Sequence, residues 1–168
     1  LASFDGLNRV VHIGSFSKSL SASVRCGFIA APREWIEGLT DLKIATSFGN
    51  GRLSSELVLT LLKDGSYRKH METVCARLSR AMSNTIARLK TIGITPWIDQ
   101  QAGMFLWCTL PDGIDAATVA RKALAANVVL APGNAFSLSQ TAGGFLRFNV
   151  AQSDDKRIYE VLETVLKQ

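Results

Sequence analysis

Apolar and polar positions alternate along this chain with two different periods, and the change of period marks out its elements. Val10, Val11 and Ile13, and later Phe28, Ile29 and Ala30, form short apolar or β-branched runs bounded by glycine or proline, which predicts two buried strands. After Pro32 the spacing becomes helical, with Trp35, Ile36, Leu39, Leu42 and Ile44 recurring until the break at Ser47 to Gly51. Leu53 to Leu62 predicts a second helix, closed by Lys63-Asp64-Gly65 with glycine suited to a left-handed cap. A longer helix is expected from about Tyr67 to Leu89. Its stripe of Met71, Val74, Leu78, Met82, Ile86 and Leu89 faces inward, and Arg68, Lys69, Glu72, Arg80, Asn84 and Arg88 lie opposite. Met71 and Met82 read as core filler.

The rest alternates strands and helices as a small α/β layer does. Ile94 to Ile98 and Gly103 to Leu110 are expected strands, with a turn at Pro111-Asp112-Gly113. Asp115 can cap a helix running to about Ala126, where Asn127 ends it. Val128 to Ala131 reads as a short strand stopped by Pro132-Gly133. A last helix is capped by Ser153 or Asp154, with Ile158, Leu162 and Val165 inward.

Composition changes this picture little. With 168 residues, 47% hydrophobic and 20% charged, the chain is one ordinary globular domain or a domain with a small appendage. The net charge of +5 and pI near 9.4 permit an anionic partner, but the basic residues are dispersed on helix faces and form no arm or helix-turn-helix signature, so direct nucleic-acid binding is not expected. Cys26, Cys75 and Cys108 are odd in number and widely spaced, which fits a reducing cytosol better than a disulfide framework. His12 and His70 suggest no metal site. No long uncharged apolar run or signal-peptide pattern occurs, so no membrane partner is expected. The start at Leu1 suggests a fragment.

Candidate chemistry gathers in Gly14-Ser15-Phe16-Ser17-Lys18-Ser19-Leu20, followed by Val24-Arg25-Cys26-Gly27-Phe28. Lys18 can form an imine with a carbonyl cofactor if it is partly desolvated or close to another cation such as Arg25. Ser15, Ser17, Arg25 and the loop N–H groups make a cradle for a phosphate dianion. Lysine plus phosphate cradle suggests pyridoxal phosphate (PLP), although a solvated serine-rich turn has the same composition. Ser15 to Lys18 also fits S-x-x-K, yet the S-D-N and K-T-G elements of penicillin-binding proteins are missing. A Walker A loop would need glycine directly before Lys18. A second candidate is Arg147, in the apolar run Gly144 to Val150, where it shares a strand face with Phe145 and Asn149. Either an anion meets this guanidinium or it lies on an exposed edge strand.

These motifs resemble the fold-type I PLP enzymes, the aspartate aminotransferase family. The pattern S-x-S-K, with an arginine seven residues on, is similar to the subgroup holding aminoadipate-type aminotransferases and the aminotransferase-like domains of MocR-type (GntR-family) transcription regulators. Ala131-Pro132-Gly133 followed by Phe136 resembles the family's A-P-G-x-x-F turn, and Leu146-Arg147-Phe148 its C-terminal L-R-[FL] strand. One departure is Ala22-Ser23-Val24-Arg25, where the subgroup usually has Pro-Gly-Leu-Arg.

The resemblance implies an α/β fold, the C-terminal part of a fold-type I PLP-dependent transferase. Residues 1–65 would end the large domain, and 66–168 would supply a linking helix and the small C-terminal domain. It further implies Lys18 as the Schiff-base lysine and acid/base catalyst, Ser15, Ser17 and Arg25 as phosphate ligands, and Arg147 as the ligand of a substrate α-carboxylate. The family's acidic partner for the pyridinium nitrogen and its ring-stacking aromatic lie upstream of Lys18; Asp5 does not match the acid's context, so this stretch alone should be a poor catalyst. Asp64 to His70 resembles the MocR group, which favours an effector-sensing domain whose DNA-binding domain is elsewhere. The alternatives are a catalytic aminotransferase and a PLP-free interaction module. Expected partners are an amino acid or amino compound, the N-terminal half of the same polypeptide and a second subunit in a homodimer.

Overall fold

Helix signals in the sequence are met by matching caps and turns. The computed structural model describes residues 1–167. Its elements are α1 (Ala2–Asp5), β1 (His12–Ser15), β2 (Gly27–Ala30), α2 (Arg33–Ser47), α3 (Arg52–Lys63), α4 (Ser66–Thr91), β3 (Thr95–Pro96), β4 (Phe105–Thr109), α5 (Ala116–Ala125), β5 (Ala131–Pro132), β6 (Phe145–Asn149) and α6 (Lys156–Leu166). The chain divides into two compact units, Leu1–Met71 and from Glu72 onward. No described helix is long and apolar enough to cross a membrane.

In the first unit β1 and β2 pair antiparallel, with Ser15 opposite Gly27 and His12 opposite Ala30. Gly27 is required there: a Cβ would lie 2.7 Å from the Gly14 carbonyl oxygen. The expected strands form, but β1 starts two residues later than the apolar run, and neither strand is buried. A two-stranded ribbon gives each strand a single neighbour, which leaves its faces and outer edges open. The same openness extends to the helices. Phe16 and Val58 are buried, whereas Ile13, Trp35, Phe48 and Leu53 are between 57% and 91% exposed. Gly65, at φ +77°, turns the chain from α3 into α4, and the Asp64 carboxylate accepts the Ser66 N–H at 2.8 Å.

The second unit is built around an antiparallel sheet of order β3-β4-β6-β5. Leu106 and Cys108 of β4 and Leu146 and Phe148 of β6 form its inner face, packed with Met82 and Leu89 of α4, Val119 of α5 and Leu162 of α6. Complete burial of Leu89, Ile94, Leu106, Leu146 and Leu162 contributes roughly 1.5–3 kcal/mol each before the entropy of ordering is charged. Asp115 caps α5 as expected, its carboxylate accepting both the N–H and the hydroxyl of Thr118 at 2.8 Å. Asn127 takes the left-handed conformation at φ +58° that ends this helix.

Three expectations here are corrected. Only Thr95–Pro96 of the run Ile94 to Ile98 pairs as strand, because Ile94 is drawn into the core and Pro96 has no N–H to extend the ladder. Pairing of Val128 to Ala131 begins only at Ala131. The Val128 N–H is taken by the Ala123 carbonyl at the end of α5. The cap of α6 is Asp155, which accepts the Arg157 N–H at 2.9 Å. Ser153 instead donates its hydroxyl to the Asn149 carbonyl, and the Asp154 carboxylate lies 3.8 Å from Arg88.

Candidate functional site

Strand pairing brings four predicted residues onto one closed loop. Ser15 ends β1, Ser17 and Lys18 lie in the turn that follows, and Arg25 precedes β2. The Phe16 N–H donates to the Cys26 carbonyl at 3.0 Å, and the Leu20 N–H returns to the Phe16 carbonyl at 2.8 Å. Ser15 Oγ accepts the Ser17 N–H at 3.2 Å, while Ser21 Oγ starts a 3-10 turn over Ala22–Val24 by accepting from Ser23. Arg25 then sits in the left-handed region at φ +49°. That conformation costs an arginine on the order of 1 kcal/mol, and it directs the chain back into β2.

Phe16 anchors this loop. It is buried between Phe28 and Tyr67, at centroid distances of 5.9 Å and 5.6 Å. Two side chains from the first turns of α4 reach the residue after Lys18: the Tyr67 hydroxyl donates to Ser19 Oγ at 3.0 Å, and His70 Nε2 donates to the Ser19 carbonyl at 2.8 Å. Sequence reading missed this role. The available signal was the i, i+3 spacing of Tyr67 and His70, which puts both on one face of a helix.

The donor set is an amine, two hydroxyls and a guanidinium, and no acidic residue occurs from Gly6 to Arg33. The Asp5 carboxylate accepts the Arg9 and Val10 N–H groups at 2.6 Å and 3.0 Å, so it is occupied with local backbone. Such a set suits a phosphorylated aldehyde, with the phosphate on Ser15, Ser17 and Arg25 and the carbonyl carbon on Lys18. Lys18 is exposed, and one expectation is corrected. The loop rides on the open ribbon of β1 and β2 rather than between buried strands.

Arg147 belongs to the second unit. It lies on β6, an interior strand, directly opposite Trp107 of β4, which excludes the edge-strand reading. Its guanidinium carbon is 4.5 Å from the centre of the Phe105 ring and 3.9 Å from that of Phe136. The guanidinium makes no ion pair or hydrogen bond with the described residues. A cavity of about 240 Å³ bounded by Phe105, Ala131, Arg147, Asn149 and Ser153 opens beside it. Cys108, on the inner face of the same sheet, has its thiol pushed up to about 12 by burial and stays protonated.

The fold is that of the C-terminal part of a fold-type I PLP-dependent transferase. The family model for aminotransferase class I and II matches residues 3–165, and the chain belongs to that family, whose cofactor is PLP. It is 28% identical over 167 residues to an HTH-type transcriptional regulator, YdfD, of Bacillus subtilis strain 168, covering 96% of this chain and 34% of the regulator. It is also 28% identical over 163 residues to aromatic-amino-acid aminotransferase 1 of Thermococcus litoralis, covering 95% of this chain and 39% of that enzyme. Among solved structures, LysN of Thermus thermophilus, an alpha-aminoadipate aminotransferase complexed with N-(5'-phosphopyridoxyl)-L-leucine, superposes with a TM-score of 0.81. Its sequence identity is 31%, over 99% of this chain and 44% of that one. The chain therefore spans less than half the length of each of these relatives.

Proposed function

We propose that this chain is part of the PLP-binding, effector-sensing domain of a MocR-type, GntR-family transcription regulator. On this reading residues 1–65 end the cofactor domain, and 66–168 supply the linking helix and small domain. The observation that carries the cofactor reading is the loop itself, which holds Ser15, Ser17, Lys18 and Arg25 between two directly paired residues, Ser15 and Gly27. Similarity to a regulator over nearly the whole chain supports the sensing role. So does the Asp64 to His70 run, whose Tyr67 and His70 both bond Ser19.

Bound PLP supplies an electron sink for bonds at the α-carbon of an amino compound. Lys18 Nζ would hold the cofactor, and the same nitrogen, as an amine, would serve as the base for a proton on the ligand's α-carbon. Ser15, Ser17 and Arg25 would hold the phosphate. Arg147 grips the ligand carboxylate through two parallel N–H donors. DNA contact would belong to a separate domain of the longer polypeptide, and the working unit would be a cytoplasmic homodimer.

A catalytic aminotransferase is the second reading, favoured by the 31% identity to LysN and by the presence of both Lys18 and Arg147. Titrating the purified chain with PLP, with Lys18→Ala as control, tests the shared premise. A visible imine band that the variant lacks is expected, and equal spectra for the two proteins would refute the assignment of Lys18. In the longer polypeptide, an amino compound that changes DNA affinity without exchanging its amino group supports the regulator; exchange with a 2-oxo acid supports the enzyme.

A further inference from the structure

Resting on the reading of Arg147 as a carboxylate ligand, we propose that Phe105 and Phe136 are positioning residues that clamp its guanidinium and leave only the N–H edge open to the ligand. A guanidinium is planar, with its donors in the plane and its faces poorly hydrated, so rings over those faces restrict it without consuming a donor. The two distances, 4.5 Å to Phe105 and 3.9 Å to Phe136, are those of such face contacts. No described carboxylate or carbonyl shares the work of fixing this side chain.

The rings come from separate elements that are themselves held. Phe105 is the first residue of β4, opposite Asn149. Phe136 ends the 3-10 turn Gly133–Phe136, which is pinned where Asn134 Oδ1 accepts the Ala142 N–H at 2.9 Å. The turn passes so close to the strand that a Cβ on Gly133 would lie 2.4 Å from the Ala142 oxygen. Trp107, the cross-strand neighbour of Arg147, meets Phe136 edge-on at 6.1 Å and stacks on Phe145 at 5.4 Å, which braces Phe136.

Phe105 is 39% and Phe136 48% exposed, so neither ring is a fully buried core residue. An arginine with free faces would sample many rotamers and lose that freedom on gripping a carboxylate, and the clamp removes this cost before the ligand arrives. The clamp also selects against lysine, whose ammonium has no plane to hold.

The test uses the whole 168-residue chain, labelled with ¹⁵N, with the Arg147 Nε–H resonance assigned through Arg147→Lys and followed while 3-phenylpropionate is added. In the unmodified chain that resonance should be displaced by ring currents and should move saturably with the carboxylate. Phe105→Leu and Phe136→Leu keep apolar volume but lack a π face. Each should return the resonance toward that of a free arginine and weaken 3-phenylpropionate roughly 2- to 10-fold, the range expected for a cation–π contact. Phe136→Tyr should behave as the unmodified chain does. Equal resonance positions and equal affinities in all four proteins would overturn the clamp while leaving Arg147 as carboxylate ligand. A displaced resonance that 3-phenylpropionate never moves would overturn the carboxylate reading and the proposal with it.

Discussion

Tyr67→Phe isolates one hydrogen bond that holds the lysine loop. The Tyr67 hydroxyl donates to Ser19 Oγ at 3.0 Å in a half-buried setting, while its ring packs edge-on against Phe16 at 5.6 Å. Phenylalanine keeps the ring contact and removes the hydroxyl alone. A neutral intramolecular hydrogen bond contributes about 0.5–1.5 kcal/mol net, and water can reach part of this site, so about 1 kcal/mol is expected. If PLP binds only the ordered loop, its dissociation constant rises by the same factor as the ordered fraction falls, at most roughly 5-fold for a loss of about 1 kcal/mol. The assay is the PLP titration by absorbance, run alongside thermal unfolding, whose midpoint should fall by only roughly 2–4 °C because Phe16 stays covered. Tyr67→Phe binding PLP with unmodified affinity, while Tyr67→Ala loses it, would refute the hydrogen-bond account and assign the loop's order to the Phe16 contact.

Other substitutions test separate parts of the structure. Gly27→Ala forces a Cβ against the Gly14 carbonyl; a loss of about 1–3 kcal/mol is expected from such overpacking, together with weaker PLP binding, in denaturant and cofactor titrations. Leu146→Ala, at a fully buried position between helices and sheet, should cost about 2–5 kcal/mol in urea unfolding of the second unit. With a thiol-specific reagent, exposed Cys75 should react in the native protein and buried Cys108 only after unfolding, as quantified by mass spectrometry. The Asp115 carboxyl is held below its ordinary 3.8 by the side-chain and backbone hydrogen bonds of Thr118. Its contribution to α5 is therefore complete above that value and is lost as pH falls through the lower folded value. Asp115→Asn should flatten that acid limb of the unfolding curve while keeping a cap.

Elements that declare themselves through short-range chemistry were readable from the sequence alone. Helices α2 to α5 carry their apolar stripes, their glycine stops at Gly65 and Gly93, and, for α5, its Asp115 cap within a few residues. The Lys18 loop stood out through its S-x-S-K motif with an arginine seven residues on, and the Arg147 strand because a guanidinium in so apolar a run is expensive. Decisions between neighbours were less visible. Ser153, Asp154 and Asp155 can all cap α6, and only the long-range contacts of the first two, with Asn149 and Arg88, leave Asp155 for the task. Likewise Val128 to Ala131 has strand composition, yet a strand exists only where β6 offers a partner. The loop's supports, Tyr67 and His70, are 48 and 51 residues from Ser19 in sequence, a separation that no local pattern spans.

The interior position of β6 also bears on how the protein comes apart. It pairs with β4 along its whole length and with β5 at Leu146 and Arg147, and its inner face carries the fully buried Leu146. Hydrogen exchange there should require near-global opening, the slowest class of event in a native protein. The ribbon carrying Lys18 has one neighbour per strand and should exchange through small, frequent excursions. The strand bearing Arg147 is thus among the last segments to open, and the ribbon bearing Lys18 among the first. Gentle warming or dilute urea should loosen the Lys18 loop first, while the strand that presents Arg147 stays paired.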